Sequence, residues 1–181
     1  SKAVIPPFAI ISYGKLGGKE LGYASDLDLV FLYQSDDVDQ IAGEVYGLLA
    51  KRMINWLTAY TSTCSLFEID TRLRPNGSAG FLVTNVGAFK KYQMREGDNA
   101  AWVWEHQALT RARFVAGNVL VGNLFDAVRQ EVLSQQRDID HLRNEIVEMR
   151  RKVHEGHPNP TNDFDLKHDA GGMVDIEFIV Q

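Results

Sequence analysis

The chain has 181 residues, of which 45% are hydrophobic and 24% charged, with a formal net charge of -5 and a pI near 5.5. This length and apolar fraction suffice to bury a core in one ordinary domain or in a domain with an appendage. The acidic balance excludes a surface built to neutralise many phosphates, so nonspecific nucleic-acid binding is not expected.

No apolar run approaches the ~18 residues of a membrane span, and the N-terminus lacks a charged head followed by a long apolar segment. The single cysteine, Cys64, has no partner for an internal disulfide. A soluble, cytoplasmic protein with no membrane contact is expected. Cys64 stands at the entry to a predicted strand without a His-based partner arrangement, so it reads as a packing residue.

An apolar strand is predicted over Phe8–Ser12 and a second over Leu27–Tyr33, joined by a turn rich in glycine (Gly14, Gly17, Gly18, Gly22). Residues two apart in a strand share a face, so Asp26 and Asp28 converge at the start of the second strand. Two carboxylates side by side repel unless a cation lies between them, and hard oxygen ligands suit Mg2+. Glycines just upstream let backbone approach phosphate oxygens.

Asp36-Asp37 is read as the cap of a helix over about Val38–Tyr60, whose apolar positions Ile41, Val45, Leu48, Leu49, Trp56 and Leu57 should cover one face of the sheet. A third strand is predicted over Leu66–Leu73 and ended by Pro75, with Phe67, Ile69, Thr71 and Leu73 on one face and Glu68, Asp70, Arg72 and Arg74 on the other. A turn at Asn76–Gly80, a short edge strand at Phe81–Val83 and a helix over about Val86–Gln93 capped by Thr84 or Asn85 follow. A helix over about Ala101–Val115 comes next, with Trp102 and Trp104 read as core or packing residues. From Asn118 the pattern is helical, with one stripe of Val121, Leu124, Phe125, Val128 and Val132 and another of Leu142, Ile146, Met149 and Val153. Gly156–Asn162 reads as a loop, His154 and His157 as loop histidines. Asp175 to Gln181 reads as a helix without a stop signal, which suggests a fragment of a longer polypeptide.

The run of an apolar residue, Gly14, a spacer and Asp26-Leu27-Asp28-Leu29 resembles the nucleotidyltransferase superfamily of DNA polymerase beta and kanamycin nucleotidyltransferase. Lys15 stands where that pattern usually has Gly or Ser, leaving the main phosphate contact open between Gly14-Lys15 and Gly17-Gly18. The resemblance implies an α+β fold, with a polymerase beta-like nucleotidyltransferase domain of small mixed sheet and helices over 1–117. A helical region, truncated at its C-terminal end, is expected over 118–181. It also implies a third acid on a neighbouring strand, for which the pattern allows Glu68 or Asp70.

Taken together, Tyr13-Gly-Lys-Leu-Gly-Gly-Lys-Glu-Leu-Gly-Tyr23, Ser25-Asp-Leu-Asp-Leu-Val-Phe31, Glu68-Ile-Asp-Thr-Arg-Leu-Arg-Pro75, Trp104-Glu-His-Gln-Ala-Leu109, Arg111-Ala-Arg113 and Gly171-Gly-Met-Val-Asp-Ile-Glu-Phe178 resemble the glutamine synthetase adenylyltransferase family. Its members carry two related catalytic halves, one attaching AMP from ATP to a tyrosine of glutamine synthetase and one removing it by phosphorolysis. Glu20-Leu-Gly-Tyr23 and the run from Trp104 to Leu109 look more like the C-terminal, attaching half. The alternatives are the phosphorolytic half and a regulatory binding module with the same fold. The resemblance implies ATP as substrate, Asp26, Asp28 and Asp70 as catalytic residues and ligands of Mg2+, with two ions expected, and Glu68 in support. It implies nucleotide contacts from Gly14, Lys15, Gly17, Gly18, Ser25 and Arg72, with Arg74 adding charge. Glutamine synthetase is the expected partner, with a PII-type signalling protein and glutamine as possible effectors. Asp175 and Glu177, two apart on a helix, diverge and read as surface or interdomain contacts.

Overall fold

The computed structural model describes residues 7–23, 25–35, 40–60, 67–97 and 100–180, and its elements form a small mixed sheet covered by helices. Strand β1 (Phe8–Ser12) runs antiparallel to β2 (Leu27–Tyr33), with Phe8 opposite Tyr33 and Ser12 opposite Leu29. On its far side β1 pairs antiparallel with β5 (Arg113–Gly117) across an irregularity between Ile10 and Ile11. The other edge of β2 is shared by two short parallel strands, β3 (Ile69–Asp70) at its start and β4 (Val83–Asn85) at its end. The order is therefore β3-β2-β1-β5, with β4 also on β2.

Alternation along β1 and β2 sends side chains to two cores. Ala9, Ile11, Val30 and Leu32 meet α3 (Val86–Gln93), α4 (Val103–Arg111) and α5 (Val119–Leu133) through Phe89, Leu109, Val121, Phe125, Val128 and Val132. Ile10, Leu29, Phe31 and Tyr33 meet α2 (Gln40–Leu57) through Ala42, Tyr46 and Ala50. A short α1 (Gly14–Gly17) lies in the turn between β1 and β2, and α6 (Ile139–Gly156) and α7 (Met173–Val180) follow α5.

Helix α2 covers the sheet as expected, but by another face. Val45, Leu48, Leu49, Trp56 and Leu57 of the predicted stripe are all exposed, Trp56 by 79%. The sheet instead takes two alanines, which admit a close approach, and Tyr46, whose ring stacks 4.9 Å from Phe8. Bulk hydrophobicity overlooks such small and aromatic contacts. The expected Asp36-Asp37 cap, the side chain of Ile41, Cys64 and Leu66 lie outside the described residues.

Two further expectations change. The predicted third strand is only two residues long, because the chain turns at Thr71 and the guanidinium of Arg74 holds that turn through the carbonyls of Thr71, Ser78 and Gly80. The predicted helix over Ala101–Val115 stops at Arg111, and residues 113–117 pair with β1. The free edge of β1 offers Phe114 and its neighbours backbone partners that outweigh local helix preference. The edge strand begins at Val83 and not at Phe81, which is 89% exposed. Trp102 is also largely exposed, with the Lys152 ammonium 5.8 Å from its ring centre. Helix α3 has the predicted bounds, and Asn85 caps it by accepting from the Gly87 N–H at 2.8 Å. His154 lies in the last turn of α6, and His157, just beyond, stacks on His168 with ring centres 4.4 Å apart.

His106 of α4 is 3% exposed, and its Nε2 lies 2.8 Å from the Gln93 carbonyl. A carbonyl only accepts, so Nε2 carries a proton, while Nδ1 is buried with no hydrogen-bond partner among the described residues. Burial, reinforced by the charges of Arg137 and Arg95, brings its pKa down to about 4, although the carbonyl contact opposes this. An unfolded histidine takes up its proton near pH 6.5, so between about 6.5 and about 4 the unfolded chain binds more protons than the folded one. This contribution to stability is complete above pH 6.5 and is lost as pH falls towards 4, by roughly 3 kcal/mol in full. Urea unfolding between pH 7 and pH 5 should show that decline, and His106→Asn should flatten it.

Candidate active site

The acids predicted to converge lie at the open corner where β2 begins. Parallel pairing sets Asp28 opposite Asp70, so the two carboxylates leave the sheet on the same side. Asp26 precedes Asp28 by one strand period and is exposed, whereas Asp28 is half-buried. Burial first, then the charges of Asp70 and Asp26, push the Asp28 carboxyl up to about 6. Arg72 and Lys15 act in the opposite sense on the same group. Five predicted residues, from three separate stretches of chain, therefore share one electrostatic neighbourhood. Glu68 is exposed and has no comparable influence on Asp28, so the register favours Asp70 as the third acid of the corner.

Asp70 is already engaged. The Arg72 guanidinium forks onto it, with Nε 2.8 Å and Nη2 2.5 Å from Oδ2, and the Arg72 backbone N–H donates to Oδ1 at 2.7 Å. These bonds hold the Asp70 carboxyl below the usual range. Among the described residues, no group of three acidic, histidine or cysteine side chains stands in metal-holding array. Arg72 supplies to Asp70 the positive charge that a metal ion would bring. Neither Asp26 nor Asp28 forms an ion pair or side-chain hydrogen bond among the described residues.

The glycine-rich turn begins against these acids. The Tyr13 N–H donates to the Asp28 carbonyl at 2.9 Å, and the Tyr13 ring is buried. Gly14 has φ +51°, and a Cβ there would lie 2.1 Å from Asp28 Oδ2. No side chain fits between the turn and this carboxylate. Gly17 serves differently, because its Cβ would strike the Arg111 carbonyl at 2.3 Å and the Ser12 carbonyl at 2.9 Å. It packs the turn onto the end of α4. A Cβ on Gly18 would stand 2.7 Å from Glu20 Oε1 and 3.4 Å from the Gly14 carbonyl. Ser25 is buried, and its Oγ accepts from the Gly22 N–H at 3.2 Å, closing the far side of the turn. Lys15 is exposed.

Two arginines hold the turn, a role the sequence reading did not give them. Arg113 donates from Nε to the Gly17 carbonyl at 2.9 Å and from Nη2 to the Leu16 carbonyl at 3.0 Å. Arg111 Nη2 donates to both Glu20 carboxylate oxygens, at 2.9 and 2.8 Å. The available signal was the Arg111-Ala-Arg113 run itself. On one helix those side chains would diverge, and only the change from α4 to β5 turns both towards the same loop. Arg74, by contrast, is spent on its own turn.

The hard oxygen donors of Asp26 and Asp28 and the poorly compensated charge of Asp28 fit a divalent cation. A mixed sheet with paired acids at the head of its second strand, beside a glycine-rich turn, defines a nucleotidyltransferase-like domain. The family profile described as glutamate-ammonia ligase adenylyltransferase matches residues 2–128, and the chain belongs to that family. A protein of Ralstonia nicotianae named bifunctional glutamine synthetase adenylyltransferase/adenylyl-removing enzyme is 64% identical over 177 residues, which are 98% of this chain and 18% of the relative. Proteins of the same name from Burkholderia mallei and Nitrosomonas europaea are 64% and 56% identical, over 97% and 98% of this chain and 19% and 18% of their own lengths. The chain thus spans about a fifth of the length of these curated relatives.

The glycines should respond unequally to a methyl group. Gly14→Ala meets both positive φ and the Asp28 carboxylate, and should lower unfolding free energy by about 1–3 kcal/mol. Gly18→Ala has ordinary backbone angles and displaces only the end of the Glu20 side chain from a partly exposed ion pair with Arg111, and should stay within about 1 kcal/mol. Chemical denaturation of both variants checks the order.

Proposed function

We propose that this chain carries out AMP transfer from ATP to a tyrosine hydroxyl of glutamine synthetase, with release of pyrophosphate. The observation that carries this reading is the crowding of Asp26, Asp28 and Asp70 beside a turn in which Gly14 leaves no side chain in the way. The names of the relatives support the substrate. Residues 1–117 form the catalytic unit in this reading, and 118–181 begin a helical region.

Asp26, Asp28 and Asp70 are the proposed ligands of Mg2+. When bound, the metal supplies positive charge for the triphosphate and lowers the pKa of a hydroxyl that ordinarily titrates near ~10. In the transfer the tyrosine oxygen bonds to the α-phosphorus as the bond from that phosphorus to pyrophosphate breaks. Gly14, Lys15 and Gly18 present backbone and charge to the phosphates, Gly17 sets the turn's depth, and Ser25 holds its exit. Arg72 is exposed and its pairing with Asp70 is a surface contact, so an incoming triphosphate competes for it at little loss. Release of Arg72 to the phosphates would free Asp70 as a ligand and as acceptor of the hydroxyl proton. Lys15 and Arg72 then neutralise the departing pyrophosphate.

Asp28→Asn should reduce transfer of label from α-labelled ATP to glutamine synthetase by at least about a thousandfold, with an unchanged thermal midpoint. Chelation should abolish transfer in the wild type, and Mn2+ binding followed by electron paramagnetic resonance should be lost in Asp28→Asn. Undiminished transfer by the variant would sink the reading. Formation of ADP from adenylylated synthetase and phosphate, without forward transfer, would place the chain in the removing half.

A further inference from the structure

The glycine-rich turn has few anchors of its own. Leu21 and Tyr23 are exposed, and Lys19 takes the left-handed backbone at φ +62°, a conformation that neighbours must hold in place. The turn closes at Glu20, whose N–H donates to the Lys15 carbonyl at 2.8 Å and whose carboxylate receives Arg111.

Arg111 is itself held from behind. Arg129 of α5 donates to the Leu109 carbonyl at 2.7 Å and to the Thr110 carbonyl at 2.5 Å, fixing the last turn of α4. The other arm of Arg111, Nη1, reaches Glu177 Oε1 of α7 at 3.4 Å, and Gln107 donates to the Glu177 carbonyl at 3.2 Å. Helix α7 is pinned in turn by Asp175, which pairs with Arg150 of α6 and accepts from the Gly171 N–H at 2.6 Å. Gly171 has φ +84°, and a Cβ on Gly172 would stand 2.7 Å from the Leu166 carbonyl, so this connection tolerates no side chain at Gly172. The Gly171–Phe178 motif therefore builds a support whose outer end is the Glu177 carboxylate.

One guanidinium thus bridges two carboxylates, one on the phosphate-side turn and one on the C-terminal helix. We infer that Glu177 is a positioning residue for the nucleotide site, acting through Arg111 and Glu20 on the glycine-rich turn. The inference rests on the proposed function for its catalytic consequence, but not for its structural one. Partly exposed ion pairs add little global stability, so the effect falls on the placement of the turn against Asp28. It would appear in ATP affinity more than in turnover, since none of the three residues lies in contact with Asp26, Asp28 or Asp70.

The test uses the whole natural polypeptide with Glu20→Gln, Glu177→Gln and the double variant. Hydrogen exchange of residues 15–22, measured without nucleotide, should quicken about threefold to fivefold in each single variant, as expected for loss of one such contact. KM for ATP should rise by about the same factor with kcat within about twofold, and the double variant should be no worse than either single one. Reciprocally, Glu20→Gln should quicken exchange in residues 173–180, a readout that does not depend on the folding of any α7 variant. Unchanged exchange in the turn of a Glu177→Gln protein with wild-type thermal midpoint, or single effects that multiply in the double variant, would overturn the relay. Exchange needs no turnover, so absence of AMP transfer would discredit the function while leaving this result readable.

Discussion

Like charges held at neighbouring strand positions cannot relax away from one another, and this constraint organises the corner where β2 begins. Pairing of β2 with β3 puts Asp28 directly beside Asp70, and half-burial removes the water that would otherwise screen them. The chain relieves one of the two carboxylates with Arg72 and leaves the other with a raised pKa. That asymmetry leaves Asp28, and not Asp70, as the carboxylate of the corner whose charge is poorly compensated. The turn opposite has to begin with glycine, because its backbone is left-handed and any Cβ there would collide with the Asp28 carboxylate.

The rest of the fold acts to keep that corner fixed. Both faces of β1 and β2 are covered, by α2 on one side and α3, α4 and α5 on the other, so the strand bearing Asp28 is clamped between two cores. The end of α4 and the start of β5 then supply the arginines that grip the turn. Arg113 takes its carbonyls, Arg111 takes the Glu20 carboxylate, and Gly17 lets the turn sit directly on the Arg111 backbone. A turn with its own sequence preference for flexibility is in this way given one position by groups roughly a hundred residues away.

Where the sequence reading departed from the structure, the departures share a cause. Binary patterning assigned α2 its large aliphatic stripe, but the sheet selected Ala42, Tyr46 and Ala50, because close approach and ring stacking on Phe8 gain more than bulk does. Helical periodicity carried the segment from Ala101 past Arg111, but the open edge of β1 drew residues 113–117 into extended pairing. Strand alternation was extended from Ile69 through Leu73, but the many hydrogen bonds of Arg74 favoured a turn. Each error treated a local preference as final where a distant partner outbid it.

The sequence alone determined the elements whose signals are local: the strands at Phe8–Ser12 and Leu27–Tyr33, the capped helix at Val86–Gln93 and the stripe of α5. It also carried the family, because the motifs are contiguous runs. Only the tertiary structure decided that Asp70 and not Glu68 faces Asp28, that Arg72 holds Asp70, and that Arg111 and Arg113 reach back to the turn. Those facts depend on strand register and on which helix end meets which loop. Such relations are set by packing between residues far apart in the chain, and short-range periodicity carries no record of them.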